Sequence, residues 1–234
     1  MVLTAVPVGF VAGLFGIGGG LITVPFLYYI FGQLGINQQY IMHLAVGTSF
    51  AIIIPTSIVS VLTHHKFNAV DFNVVKNYGI FVIIGVIIGT IFAATFKTKS
   101  LVLFFSIVIS FLGIYLLLIK EKDKNIISEM KLYLKIILGT IVGFISAITG
   151  IGGAVMNVPI LKFFGYSINK AIGSAAAIGF LNVPAFLIFI PITTFMARIG
   201  ARTVHKIEKN RISKLLGVFL LLVAAKFLYE YSKL

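Results

Sequence analysis

Gly16-Ile17-Gly18-Gly19-Gly20, with Pro25 five residues beyond it, interrupts the apolar run from Val2 to Phe31. The same phrase returns as Gly150-Ile151-Gly152-Gly153-Ala154, and Pro159 again stands five residues on. Glycine offers no side chain to pack and has the most backbone freedom to lose, so such a cluster interrupts a helix. In a bilayer an interruption is tolerated only where the loosened backbone is buried in protein or lines a cavity. Gly16, Pro25, Gly150 and Pro159 are therefore read as structural helix breaks.

The surroundings of the two phrases fix the broad class. Of the 234 residues, 59% are hydrophobic and only 11% charged, and the mean hydropathy is +1.11. Soluble domains carry about 25% charged residues. Apolar runs of about 20 residues recur from end to end, which predicts an all-α polytopic membrane protein with the lipid bilayer as its surroundings. The net charge of +13 sits almost wholly in short polar connections, the pattern of orientation by cytoplasmic positive charge. No basic helix or aromatic-basic surface stands outside those connections, so nucleic acid is not an expected partner. With no cysteine, disulfides, thiolate metal sites and cysteine nucleophiles are excluded, and no metal or cofactor is expected. The N-terminus lacks the basic region of a signal peptide.

The chain divides into two related halves. Residues 1–119 form a first transmembrane repeat, 120–131 a charged linker and 132–234 a second repeat. Each half begins with its glycine-broken segment and continues with about three helices. The small polar pair Gly47-Thr48, followed by Ser49, corresponds to Gly173-Ser174, and the basic turn at Lys97 to the Arg202–Lys214 stretch. Preservation of that order marks an internal repeat. The interval from Gly173 to Gly200 is shorter than that from Gly47 to Gly89, so the second half is shortened or incompletely recorded between 173 and 200.

Val2 to Phe31 would make a helix of about 45 Å, long for one crossing and short for two. Each broken run is thus either a tilted, interrupted helix or a re-entrant hairpin with glycines at its tip. With hairpins, only Lys97, Lys99, Lys226 and Lys233 of the 19 basic residues fall on the minority side. Positive-inside bias favours that version, which also makes the halves inverted repeats.

Matched interruptions, one in each half, point to a transporter's binding site. The half-helix after each break starts with free N–H groups and the positive end of its dipole, and glycines admit a ligand close to that backbone. Gly18, Gly19, Gly20, Gly152 and Gly153, with Thr23 and Asn157 at matched positions, form the candidate anion site. Thr48, Ser49 and Ser174 are added from the second element as hydrogen-bond donors. A single serine or threonine in such a helix more often bonds a carbonyl one turn back. Gly85 with Gly89, and Gly139 with Gly143, have the spacing of helix-packing seams. His64 and His65 stand at the end of a run and read as interfacial or loop residues. An intramembrane enzyme would need a nucleophile with a base, or ligands on one face, and the runs supply neither. A coupling ion, proton or sodium, and the oligomeric state are left open.

On the two Gly-Ile-Gly-Gly phrases with Val24-Pro25 and Val158-Pro159, and more weakly on His64-His65-Lys66 with Val70-Asp71 and on the basic stretch from Ala197 to Lys206, the chain resembles the sulfite exporter TauE/SafE family of membrane transporters. The resemblance covers nearly the whole length. It implies about eight membrane segments, of which this chain's short second half departs. It also implies movement of a small sulfur-containing anion such as sulfite, a sulfonate or thiosulfate across the bacterial cytoplasmic (inner) membrane. An anion channel, or an assembly subunit that transports nothing, is the alternative.

Overall fold

The structure, a computed structural model, describes residues 10, 19–118, 129–180, 218, 221–229 and 231–232. Gly16, Gly18, most of the 120–131 linker, Pro184, Pro191 and the basic stretch 202–214 lie outside the described residues. The described elements are all helical: α1 (Gly20–Gln33), α2 (Ile41–Lys66), α3 (Phe72–Thr95), α4 (Thr98–Leu118), α5 (Leu132–Thr149), α6 (Ala154–Phe163) and α7 (Ile168–Phe180). Four of them, α2 to α5, are long and apolar enough to cross a membrane.

Local chemistry sets the boundaries. The sequence suggests a loop from Asn68 to Lys76, but α3 already starts at Phe72. Asp71 caps it, its carboxylate accepting from the N–H groups of Asn73 at 3.0 Å and Val74 at 3.3 Å. Pro25 and Pro159 break nothing. Each lies inside its helix, about one turn past the glycines, and α1 and α6 run on unbroken around them. The ring removes one backbone donor early in the helix, where little of the ladder depends on it. The interruption is glycine's work alone: Gly150, Gly152 and Gly153 have φ of 70°, 82° and 70°, and Gly19 has 88°. These are left-handed values that side chains resist.

The centre of the bundle is the crossing of α3 with α5, one helix from each half. A methyl group at Gly85 would overlap the carbonyl oxygen of Thr140, and one at Gly143 that of Val82. Gly89 and Gly139 meet Phe144 and Phe81 in the same way, so both glycine pairs serve a close backbone approach. Phe227 of the C-terminal helical segment is buried, its ring 4.7 Å from Phe105 of α4 and 5.6 Å from Tyr28 of α1.

Contacts at the helix termini define two ends. At one, Ser174, midway along α7, accepts the Asp71 N–H at 2.9 Å, and Tyr166, between α6 and α7, donates to the Asp71 carboxylate at 3.3 Å. At the other, Thr98 at the start of α4 donates to the Gln39 carbonyl between α1 and α2 at 2.7 Å. Helix α5 enters from the Asp71 end, and after the break α6 returns there: Leu161 and Phe164 share one cavity with Met130 and Lys135. Helix α1 leaves its own break for the opposite, Lys97, end.

Candidate functional site

The two interruptions touch. A methyl group on Gly20 would collide with the carbonyl of Gly150 and the Cα of Ile151, and one on Gly150 would collide with Val24 and Val46. Ser49, wholly buried on α2, donates its hydroxyl to the Gly150 carbonyl at 2.8 Å and ties the first half to the second break. The half-helices start alike. Gly19 accepts from Ile22 and Thr23 at 3.1 and 3.0 Å, and Gly153 from Met156 and Asn157 at the same distances. The N–H groups nearer each cap have no carbonyl within their own helix and present partial positive charge.

The matched side chains then part company. Thr23 gives its one proton to the Gly19 carbonyl at 2.8 Å, the one-turn-back bond common for threonine. Asn157, wholly buried, accepts from the Tyr78 hydroxyl at 3.1 Å through Oδ1, while its Nδ2 has no hydrogen-bond partner. One turn from Asn157 on α6, Gly153 faces Ser146 of α5, also wholly buried and with an unpartnered Oγ. Buried polar atoms without partners cost about 1–3 kcal/mol each. On α2, Ile53 lies over Gly152, and the Oγ of Ser57, buried and unpartnered, stands close to Gly179 of α7.

Of the residues predicted for the site, Gly19, Gly20, Ser49, Gly150, Gly152, Gly153, Thr23 and Asn157 come together around the touching breaks. Ser174 does not: it sits at the Asp71 end on the α3 cap. Thr48 is half-buried on the side of α2 where Gly47 has open space. Gly18 lies outside the described residues. Sequence reasoning missed Ser146 and Tyr78. Ser146 stands four residues before Gly150, and a small polar residue one turn ahead of the break was the available signal. Tyr78 gave none, being an ordinary aromatic near the start of an apolar run. His64 is a correction: it is wholly buried, with Gly173 packed on its Cβ and the Ala69 carbonyl, whereas His65 is exposed.

A cavity of about 460 Å³ opens at the Asp71 end. Its lining includes the exposed or half-buried Asp71, Asn73, Asn77, Glu129, Lys135 and Tyr166, and the buried Tyr78 and Leu161, whose burial sets them at its base. Burial and the neighbouring Asp71 carboxylate push the Tyr166 phenol up to about 12. Lys66, Lys76, Lys131, Lys135, Lys162 and Lys170 all belong to helix ends on this side; Lys97, Lys99 and Lys226 belong to the other.

The profile of the sulfite exporter TauE/SafE family matches residues 1–227. The chain belongs to that family. The TauE/SafE chain is 29% identical over 243 aligned positions to a probable membrane transporter protein of Haemophilus influenzae, covering 92% of each. It is 26% identical to probable membrane transporter protein MJ0441 of Methanocaldococcus jannaschii, with 93% of this chain and 92% of the relative aligned. It is also 26% identical to the probable membrane transporter protein YunE of Bacillus subtilis, over 98% of this chain and 97% of the relative. No solved structure is a significant match. As a member of a transporter family this TauE/SafE protein is a multi-pass membrane protein that moves a small substrate, and the family is not one of enzymes.

Proposed function

We propose that this TauE/SafE protein is a secondary transporter that carries a small sulfur-containing anion (sulfite, a sulfonate or thiosulfate) across the bacterial cytoplasmic membrane. The substrate binds where the two glycine breaks meet. One observation carries this reading: Ser146 Oγ, beside Gly153, and Asn157 Nδ2, one turn into α6, are both wholly buried and unpartnered near the positive start of that helix. An oxyanion accepts hydrogen bonds there from amide, hydroxyl and backbone N–H groups without any buried Lys or Arg. The gathering of lysines at the Asp71 end supports a cytoplasmic position for that end. Helix α1 leaves the centre toward the outside and α6 toward the inside, the relation expected of inverted repeats.

A carrier fits better than an open channel, because the break is packed shut. Ile53 covers Gly152, Val142 and Ser146 cover Gly153, and Tyr78 bonds Asn157. An assembly subunit would have no use for buried donors at a break. Purified protein in liposomes, offered sulfite, thiosulfate, sulfonates and chloride under defined proton and sodium gradients, tests the proposal. Saturable flux of a sulfur oxyanion supports it; equal, non-saturating flux of all four identifies a channel, and no flux of any identifies a subunit.

A further inference from the structure

We propose that Tyr78 is the cytoplasmic gate of this transporter: its ring closes the base of the Asp71 cavity, and its hydroxyl latches Asn157. The inference rests on the anion reading of Asn157 but concerns access to that residue. Phe164, Leu161, Asn157 and Gly153 follow one another at three- and four-residue spacing and so lie along one face of α6. The first two line the cavity, Asn157 meets Tyr78, and Gly153 lies at the break beside Ser146. Of the α3 residues that line the cavity, Asn73, Val74, Asn77 and Tyr78, the buried one is Tyr78, 1% exposed, and it is the one bonded to Asn157. The path from the cavity to the unpartnered donors therefore passes through the Tyr78 side chain.

The bond has a second consequence. An asparagine amide turns freely about its last torsion, and either of its ends could face the break. A phenol donating to Oδ1 holds the carbonyl toward Tyr78 and leaves Nδ2, the donor an anion needs, buried and unpartnered at the other end of the amide. Tyr78 is thus a positioning residue for Asn157 as well as a plug. When it swings aside, the latch and the orientation are lost together, which ties opening to release of the anion on the cytoplasmic side.

The native chain has no cysteine, so introduced thiols report without background. The probe is the anionic thiol reagent sulfonatoethyl methanethiosulfonate, applied separately to each face of reconstituted vesicles. Asn77→Cys, in the cavity, should label quickly from the Asp71 face with or without Tyr78. Ser146→Cys should label slowly in the parent, about fivefold faster with Tyr78→Phe, which removes one hydrogen bond, and close to the Asn77→Cys rate with Tyr78→Ala. Ala45→Cys, wholly buried on α2 near the opposite end, should stay unlabelled throughout, separating gate opening from unfolding. If Ala45→Cys does label in Tyr78→Ala, the Tyr78→Phe comparison decides alone. Ser146→Cys labelling that is the same in parent and Tyr78 variants overturns the gate. Failure of methanesulfonate, a sulfonate that does not react with the reagent, to slow Ser146→Cys labelling in the opened variant overturns the anion reading and leaves the gate standing.

Discussion

Replacing glycines one at a time by alanine should separate the cost of a left-handed backbone from the cost of crowding two halves together. Gly35, Gly153 and Gly150 have nearly the same φ, 73°, 70° and 70°. Alanine at any of them costs about 1 kcal/mol in backbone strain. Their surroundings differ. Nothing lies within 4 Å of a methyl group at Gly35, and at Gly153 the nearest atom, Ser146 Oγ, is at an ordinary 3.4 Å. At Gly150 the methyl would stand 2.9 Å from a Val24 methyl and 3.1 Å from the Val46 Cα, which is backbone and cannot step aside. Overpacking adds about 2 kcal/mol there, for a total near 3 kcal/mol. Equilibrium unfolding in mixed micelles should therefore rank Gly150→Ala well below Gly153→Ala, with Gly153→Ala close to Gly35→Ala. Gly150→Ala as mild as Gly35→Ala would refute the claim that the breaks are packed on each other.

Three further outcomes are expected. Ser49→Ala leaves the buried Gly150 carbonyl without its donor and should lower stability in the same assay by about 1 kcal/mol; a null result would mean the bond from α2 to the break contributes nothing. Gly85→Ala pushes a methyl into the Thr140 carbonyl and should cost about 2 kcal/mol, whereas Gly47→Ala, with open space around it, should be neutral or slightly stabilising. Spectrophotometric titration should show Tyr166 ionising near 12, as the band lost in Tyr166→Phe, and Asp71→Asn should bring it back toward the ordinary phenol value. Because the folded value is raised, the contribution of Tyr166 to stability is intact below about pH 10 and falls as pH climbs toward 12.

The bundle was legible in the sequence because membrane helices announce themselves by composition: α2 to α5 are the apolar runs, and Gly85/Gly89 with Gly139/Gly143 mark the seam between halves. The glycine phrases marked where the backbone turns left-handed. The prolines misled, since Pro25 and Pro159 recur with the glycines yet stay helical. What sequence pattern lacks is direction and pairing. A run of the length of α5 plus α6 can cross once or fold back, and only the cavity that Leu161 and Phe164 share with Met130 and Lys135 tells the two apart. Thr23 and Asn157 look equivalent in the alignment of halves, but a short hydroxyl reaches its own cap carbonyl, whereas the asparagine amide reaches across to α3. His64 looked interfacial because it ends a run; the close approach of Gly173, which no local pattern encodes, buries it.

The most direct test of the whole account is anion flux through Asn157→Leu, a change of similar volume that deletes the buried donor, made in a Tyr78→Phe parent so that no buried hydroxyl is left without its acceptor. Proteoliposomes of the parent should accumulate labelled sulfite or thiosulfate, and the variant, unfolding at a similar midpoint, should show only the leak of empty liposomes. Undiminished flux through Asn157→Leu would contradict a binding site at the meeting of the two breaks.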